Sequence, residues 1–270
     1  MLRLLLAEDE KELSNALVAV LKHSNYSVDA VYDGADAFSY GISENYDGII
    51  LDIMMPKMNG IDMTRILKED IRTSHIPIIL LTAKDTDDDK EEGYECGANS
   101  YLTKPFTAKL LGSRIHNLLN AQRRLAEQIR EKYGNGIKPK NVESTDNAIG
   151  SDNNIKETLS KLDRDFLQRL DDVISNNLKS NDLDLPFVTS QMAMSHSTFY
   201  RKVKALTGMT AKEYIRKSRL HHCYEMLESG DYNVTEAAML TGFNHMAHFR
   251  EIFKNEFGIL PSDVKKGDKV

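Results

Sequence analysis

Five short apolar runs alternate with amphipathic segments over the first 120 residues, and this alternation constrains the fold more than any other feature. Strand–helix alternation with short connections predicts a parallel sheet with helices on both faces. The third and fourth runs are almost continuously apolar, which is typical of strands at the buried centre of such a sheet. The predicted strands cover 2–7, 27–31, 47–52, 76–82 and 99–103, and the predicted helices cover 10–23, 34–44, 60–69, 86–95 and 107 to about 133.

The second half of the chain has a different pattern. From Leu162 onward only helical periodicity is present, interrupted at glycines and prolines, whereas 134–154 is rich in Gly, Pro, Asn and Ser and predicts a mobile linker. A length of 270 residues suits two domains. The predicted organisation is an α/β domain with a (βα)5 doubly wound parallel sheet over 1–122, a helical extension and flexible linker over 123–157, and an all-α domain over 158–270.

Composition favours a cytoplasmic protein with two kinds of partner. No stretch approaches the roughly 18 apolar residues of a membrane span, and the short apolar N-terminus ends on acids, as a first strand would. Cys96 and Cys223 lie in different predicted domains, so a disulfide framework is not expected. The net charge is −6, yet 196–224 holds seven basic residues and one acid. An acidic first half and a locally basic second half indicate different partners.

Polar side chains stand where four of the predicted strands end. Glu8 and Asp9 follow strand 1, Asp52 ends strand 3, Thr82 ends strand 4, and Lys104 follows strand 5. The carboxyl ends of parallel strands form one edge of the sheet, where ligands bind. Carboxylates and water are the ligands that Mg²⁺ prefers, and such a metal would allow Asp52 to attack phosphorus as a nucleophile. Lys104 and the Thr82 hydroxyl would hold the phosphoryl oxygens.

A plainer alternative is that strand-end Asp and Thr residues only cap the following helices. Asp33, in the stretch "YDG", is assigned to such a cap. The alternative is weaker for the carboxyl edge of the sheet as a whole, because all four strand ends supply groups that complement one another: carboxylates, a hydroxyl and an amine. We therefore predict a phosphoryl-transfer site there.

The stretches "LLLAEDE", "DIMMPKMNG", "TAK" and "SYLTKPF" resemble the receiver domain of bacterial two-component response regulators over about residues 1–120. The resemblance implies that Asp52 accepts a phosphoryl group from a sensor histidine kinase. It also implies that Asp9, Asp52 and the Met54 carbonyl bind Mg²⁺, with Glu8 acting through water. Catalysis of any other reaction is not expected.

The same resemblance implies a conformational switch. Lys104 contacts the phosphoryl group, and its bond to Pro105 is expected to be cis. The Thr82 hydroxyl moves toward the phosphate while the Tyr101 ring turns inward, and the change emerges on the surface of the fourth helix, fifth strand and fifth helix. Asn99 and Ser100 replace two acids that are frequent there in winged-helix members, which argues against ionic dimer contacts across that surface.

Two helix-turn-helix units are predicted in the basic half, over 185–208 and 234–258. The segment "FYRKVKALTG" (199–208) aligns with "FREIFKNEFG" (249–258) at an offset of 50 residues. This similarity indicates two copies of one helical unit. The helix between them, 210–229, would span roughly 28 Å at about 1.5 Å per residue. That is close to the approximately 34 Å between successive major-groove entries on one face of DNA.

This half resembles the AraC-type DNA-binding domain over about 162–265, on "STFYRKVKALTG", "YIRKSRL", "GFNHMAHFREIFKNEFG" and "LPSD". Ala193 stands where a turn glycine is usual in that family. Met192, Met194 and Met239 are expected to lie in the core of this half. The three histidines near the two second helices are assigned to DNA rather than zinc, since no Cys or acid cluster accompanies them. The expected DNA contacts are His196, Ser197, Tyr200, Arg201, Lys204, Asn244, His245, Met246, His248, Arg250 and Lys254.

The combined prediction is a transcription regulator controlled by phosphorylation of Asp52, with Mg²⁺ as cofactor. Its expected partners are a sensor histidine kinase, double-stranded DNA and a second copy of the chain when phosphorylated, with RNA polymerase as a further candidate. Phosphate would act either by pairing two molecules or by freeing the DNA-binding half. The alternatives are a phosphate-independent regulator that uses the receiver for dimerisation, a phosphate sink, a plain helical bundle in place of the DNA-binding half, and the output end of a hybrid sensor. Met1 and the absence of kinase motifs favour a separate protein over the last of these.

Overall fold

The computed structural model describes residues 1–83, 96–134, 159–178 and 183–264. The chain divides into two compact units, Met1–Arg123 and Arg124–Val270. The predicted helix 86–95 and residues 135–154 of the predicted linker lie outside the described residues.

The first unit is an open sheet of five strands. Every pair of neighbouring strands is parallel, in the order β2-β1-β3-β4-β5. This confirms the predicted doubly wound α/β fold. The strands are β1 (Leu2–Ala7), β2 (Tyr26–Val31), β3 (Gly48–Asp52), β4 (Ile78–Thr82) and β5 (Ser100–Thr103), and the described helices are α1 (Lys11–His23), α2 (Gly34–Ser43), α3 (Gly60–Glu69) and α4 (Ala108–Gly134).

Both faces of the sheet are buried because successive side chains of a strand point to opposite faces. Leu4 and Leu6 of β1 join one core cluster with Leu21 of α1 and Leu111 of α4. Leu5 joins a second cluster that includes side chains of α2 and α3. The continuous apolar strands are therefore a consequence of helices packing on both sides.

Close backbone contacts position the loop after β3. A side chain at Gly34 would lie 2.0 Å from the Met58 carbonyl oxygen, and one at Gly60 would lie 2.3 Å from the Asp52 carbonyl oxygen. The Asp33 side chain accepts hydrogen bonds from the N–H groups of Ala35 and Asp36, as its assignment to a helix cap predicts. Only glycine fits at both contacts, so the loop is held against the end of β3 and the start of α2.

The described part of the second unit is helical, as predicted. Its helices are α5 (Lys161–Asn176), α6 (Leu185–Gln191), α7 (His196–Thr207), α8 (Ala211–Ser229), α9 (Val234–Leu240) and α10 (Met246–Phe257), followed by a short 3-10 turn, Pro261–Asp263. Among the described residues, no helix is long and apolar enough to cross a membrane.

The repeat predicted from the sequence is present as two matching helices. Helices α7 and α10 have 12 residues each and end at a glycine in the left-handed conformation, Gly208 with φ 66° and Gly258 with φ 73°. Both bury two side chains four residues apart, Phe199 with Val203 and Phe249 with Phe253. The prediction that Met239 is a core residue is wrong. Its side chain is 57% exposed, because the short helix α9 buries the two alanines before it.

Candidate functional site

The carboxyl edge of the sheet gathers the predicted phosphoryl-transfer residues. Lys104 Nζ donates to both carboxylate oxygens of Glu8, at 2.9 and 2.8 Å, and to Oδ2 of Asp52 at 2.7 Å. The Met54 N–H lies 3.3 Å from the other Asp52 oxygen. One ammonium group therefore joins the ends of β1, β3 and β5, as the strand-end rule predicts.

The carboxylates of this site differ in exposure. Glu8 is fully buried and Asp52 is 4% exposed, whereas Asp9 is on the surface. Ligand oxygens of all three lie within 4.8 Å of one another. The site is therefore buried at the ends of β1 and β3 and open to solvent on the side of Asp9.

Burial and charge shift the proton affinities of the site. Burial raises the pKa of Glu8 to about 7, the Asp52 charge adds to this rise, and the Lys104 hydrogen bond opposes it. Burial alone would lower the pKa of Lys104, but its bonds to Asp52 and Glu8 outweigh burial and raise it. Lys104 thus stays protonated, while Glu8 binds a proton more readily than an ordinary carboxyl group does.

These residues fit a divalent metal ion. Three carboxylates face one ammonium group, so the cluster keeps an excess of negative charge, and oxygen donors are what Mg²⁺ prefers. Beside them a cleft of about 490 Å³ is lined by Asp9, Met54, Asn59 and neighbouring residues of the β3–α3 loop. Asp9 and Asp52 would hold the ion at this opening. The part predicted for the Met54 carbonyl stays a prediction.

The predicted switch residues lie next to the site. Thr82 is buried at the end of β4, and the bond between Lys104 and Pro105 is cis. The Tyr101 ring is already buried, and its hydroxyl has no hydrogen-bond partner among the described residues. Its turn from an outward position therefore stays a prediction.

Asn99 and Ser100, which replace the expected acids, have structural surroundings. Asn99 Oδ1 accepts hydrogen bonds from the Ile78 N–H at 2.9 Å and from Lys68 Nζ at 2.8 Å. Ser100 is buried. Asn99 therefore fixes the start of β4 to the start of β5, a contact that sequence patterns did not indicate.

The predicted DNA-contacting side chains of the first helix-turn-helix unit surround the start of α7. Ser195 caps this helix by accepting from the Thr198 N–H at 3.3 Å. His196 and Tyr200 stack, with ring centroids 6.4 Å apart. The Arg201 guanidinium bends back to the Ser197 carbonyl at 3.2 Å, whereas Lys204 is exposed. The basic run thus presents a mixed polar surface beside the buried side chains of α7.

In the second helix-turn-helix unit, the corresponding surface has five exposed residues, Asn244, His245, His248, Arg250 and Lys254. Met246 differs from the prediction that it points outward. It is half-buried and packs against the apolar core around Phe249. The reason is helical spacing, since Met246 precedes Phe249 by three residues and shares its face.

Sequence reasoning missed a buried ion pair in the second unit, beside the first helix-turn-helix pair of helices. Lys202 has no exposed surface, and its Nζ lies 2.5 Å from Asp163 Oδ1 of α5. The ammonium group also lies 5.2 Å from the centre of the Phe166 ring, and the Ser160 hydroxyl donates to the other Asp163 oxygen at 2.7 Å. Its position, three residues after Phe199 and one before Val203, was a signal that Lys202 faces the core.

Comparison with known families finds one match in each half of the chain. Residues 4–116 match a family described as the response regulator receiver domain, and residues 188–267 match a family described as a helix-turn-helix domain. The two matches together account for the acidic site and for both helix-turn-helix units.

Similar proteins include Histidine kinase P4 of Formosa agariphila, which is 30% identical over 264 residues, 97% of this chain but 18% of that protein. Response regulator ArlR of Staphylococcus aureus is 41% identical over 122 residues, 45% of this chain and 54% of ArlR. The chain thus spans about half of one relative and less than a fifth of the other. The receiver domain of Francisella response regulator 1452 is 33% identical, with a TM-score of 0.42, over 45% of this chain and 98% of that chain.

Proposed function

Because the chain combines a response regulator receiver domain with an AraC-type helix-turn-helix domain, we propose that it is a DNA-binding response regulator switched by phosphorylation of Asp52. The observation that carries this proposal is the Lys104 ammonium group bound to both Glu8 and Asp52 at the edge of the sheet, with Asp9 at the opening. The proposed receiver covers 1–122, the extension and linker 123–157, and the DNA-binding domain 158–270.

In the proposed reaction, one oxygen of Asp52 forms a bond to phosphorus while the bond from phosphorus to the histidine nitrogen of the kinase breaks. A bound Mg²⁺ would neutralise charge on the phosphoryl oxygens. Lys104 holds Asp52 Oδ2 in the resting site. It would transfer this bond to a phosphoryl oxygen while keeping its bonds to Glu8. The buried Thr82 hydroxyl would supply a second donor to the phosphoryl group.

The output of this chemistry is a change in DNA binding rather than turnover of an external substrate. Phosphorylation would either pair two copies of the chain or free its DNA-binding half. Pairing would raise the apparent DNA affinity through effective concentration. The exposed Lys204 and Lys254 would bind phosphates of the duplex, which provides affinity without sequence information. The proposed location is the cytoplasm, where a histidine kinase can reach the receiver.

The proposal is tested by coupling the two halves in one experiment. The full chain is incubated with Mg²⁺ and acetyl phosphate, and its affinity for DNA fragments is measured at fixed salt. Asp52→Asn is the matched control, because it keeps the size of the side chain and removes the nucleophile. We expect tighter DNA binding after phosphorylation of the parent chain and no change for Asp52→Asn. Equal affinities for the phosphorylated and unphosphorylated parent would favour the phosphate-independent regulator.

A second candidate is favoured by one comparison. Nearly the whole chain aligns with a short part of a protein named as a histidine kinase. The same receiver and DNA-binding domains would then act as the output of a hybrid sensor, with phosphate supplied by a kinase in the same polypeptide. The coding sequence around the gene distinguishes the two, since only a hybrid carries kinase domains in the same reading frame.

A further inference from the structure

A cavity of about 840 Å³ lies in the second unit, among the start of α6, the first half of α8 and the turn before α10. Its apolar wall includes Leu183, Leu185, Ile215 and Phe243. This volume is within the range of small-molecule sites, roughly 300–1,000 Å³. Nothing in the phosphoryl chemistry of the receiver uses this space.

The polar wall of the cavity carries a surplus of positive charge. Lys212, Arg216 and Arg219 are spaced four and three residues apart on α8, so they share one face of that helix. The two acids of the lining have partners. Asp184 caps α6 by accepting from the Phe187 N–H at 2.9 Å, and Glu213 is paired with Arg130 at 3.3 Å. The cavity therefore suits an anion with an apolar body.

We propose that this cavity binds a small organic carboxylate, with its apolar body against Ile215 and Phe243 and its carboxylate held by Arg219 and Arg216. Guanidinium groups bind carboxylates through two parallel hydrogen bonds, which selects a planar anion over a neutral analogue. Burial lowers the pKa of Arg219, and its Nη2 donates to the carbonyl of Leu183 on the cavity wall at 3.4 Å.

The location of Arg219 connects the cavity to the second helix-turn-helix unit. A side chain added at Gly242, which has φ 84°, would lie 3.1 Å from the Arg219 guanidinium carbon. The next residue, Phe243, lines the cavity, and its ring centre lies 5.2 Å from that of Phe249 on the buried face of α10. A ligand that moves Arg219 or Phe243 would therefore act on the turn that positions α10. The chain would then receive a chemical signal in addition to phosphate.

Isothermal titration calorimetry of the full chain tests this proposal. The ligands are octanoate and 4-phenylbutyrate, and the uncharged analogues are 1-octanol and 4-phenylbutanol. We expect at least one carboxylate to bind with a dissociation constant of about 1 mM or tighter. The matching alcohol should bind at least about tenfold more weakly, because it cannot use the guanidinium groups. Asp52→Asn should bind the carboxylate as the parent does, so a failed phosphorylation switch would not affect this result.

Four variants locate the site. Leu185→Trp fills the cavity from its half-exposed rim and should abolish binding. Arg219→Gln should weaken carboxylate binding about tenfold or more, whereas Arg219→Lys should recover part of the loss. Because Arg219 also packs beside Gly242, the surface double variant Lys212→Gln, Arg216→Gln provides a second test that does not disturb this contact. Circular dichroism checks that each variant is folded.

Two results would overturn the proposal. One is the absence of saturable binding by either carboxylate at concentrations up to roughly 10 mM. The other is equal binding of each carboxylate and its alcohol, unchanged by the arginine variants. If the carboxylates fail and the Lys212, Arg216 double variant loses DNA affinity with a reduced salt dependence, the basic wall binds DNA phosphates instead.

Discussion

Each unit of the chain contains a lysine bound to carboxylate, and the two clusters differ in exposure and in net charge. In the first unit Lys104 is 21% exposed and binds two acids beside a third, so negative charge remains in excess. In the second unit Lys202 has no exposed surface and is matched by one acid, Asp163. A serine hydroxyl and an aromatic ring complete its surroundings.

The difference separates the proposed phosphoryl-transfer site from a structural contact. An excess of carboxylates at an open edge attracts a cation and keeps a nucleophile within reach of a phosphodonor. A sealed pair with balanced charge has no such access. Its effect is to hold α5 against α7. Charge balance and exposure, rather than the residue types alone, assign the two roles.

The largest expected effect comes from breaking the sealed pair. Asp163→Ala leaves the Lys202 ammonium group buried without its carboxylate, and we expect a loss of about 3–5 kcal/mol in the unfolding free energy of the second unit. Peptide-resolved hydrogen exchange of the full chain should show faster exchange over α5 and α7 and little change in the sheet of the first unit.

A double replacement sharpens this prediction. Asp163→Leu combined with Lys202→Met removes both charges and keeps apolar volume, so exchange over α5 and α7 should return close to that of the parent. If Asp163→Ala exchanged as slowly as the parent, the pair would not hold these helices together.

The next largest effect is expected at the cluster around Lys104, called the open cluster below. There the substitution should increase stability rather than decrease it. Asp9→Asn removes one of three neighbouring carboxylates, so the melting temperature in EDTA should rise by roughly 1–3 °C as repulsion decreases. Mg²⁺ affinity, measured by titration calorimetry, should fall about tenfold or more, since a charged ligand is lost. Glu12→Gln, an exposed acid of α1 outside the cluster, is the control and should change neither quantity.

A smaller effect is expected when the open cluster loses its lysine. Lys104→Gln removes a positive charge that competes with the metal for Asp52, and Mg²⁺ affinity should increase by roughly three- to tenfold. The same calorimetric titration measures it, with Lys68→Gln as a control for removal of a partly buried lysine elsewhere in the first unit. Weaker Mg²⁺ binding in Lys104→Gln would show that the metal does not occupy the space beside Asp52.

The smallest predicted effect concerns how long the phosphoryl group survives. Met54 is 64% exposed, its backbone N–H lies 3.3 Å from Asp52 Oδ1, and it lines the adjacent cleft, where we expect its apolar side chain to obstruct water. Met54→Asn should shorten the lifetime of the phosphorylated protein by about two- to fivefold. Mass spectrometry measures this lifetime as the decrease of the phosphorylated species with time. Met54→Leu keeps the apolar bulk and should retain the parent lifetime. An unchanged rate of dephosphorylation in Met54→Asn would rule out this shielding role.

The sequence was sufficient for the sheet and for the residues of its carboxyl edge, because both follow from local periodicity and from the geometry of parallel strands. Lys202 was counted within the basic stretch 196–224 and given no role, since its partner Asp163 is 39 positions away and no local pattern reports that pairing. Met239 was misassigned because a seven-residue helix gives too few turns to fix its buried face. The cavity beside Arg219 depends on three elements meeting in space, which periodicity does not describe.

The central claim is tested most directly by the intact mass of the full chain after incubation with Mg²⁺ and acetyl phosphate, with Asp52→Asn measured in parallel. The account predicts that the parent gains one phosphoryl group, that EDTA prevents this gain, and that Asp52→Asn gains none. A folded parent that stays unmodified with Mg²⁺ present, or an Asp52→Asn variant that is modified equally, would contradict the assignment of Asp52 as the nucleophile.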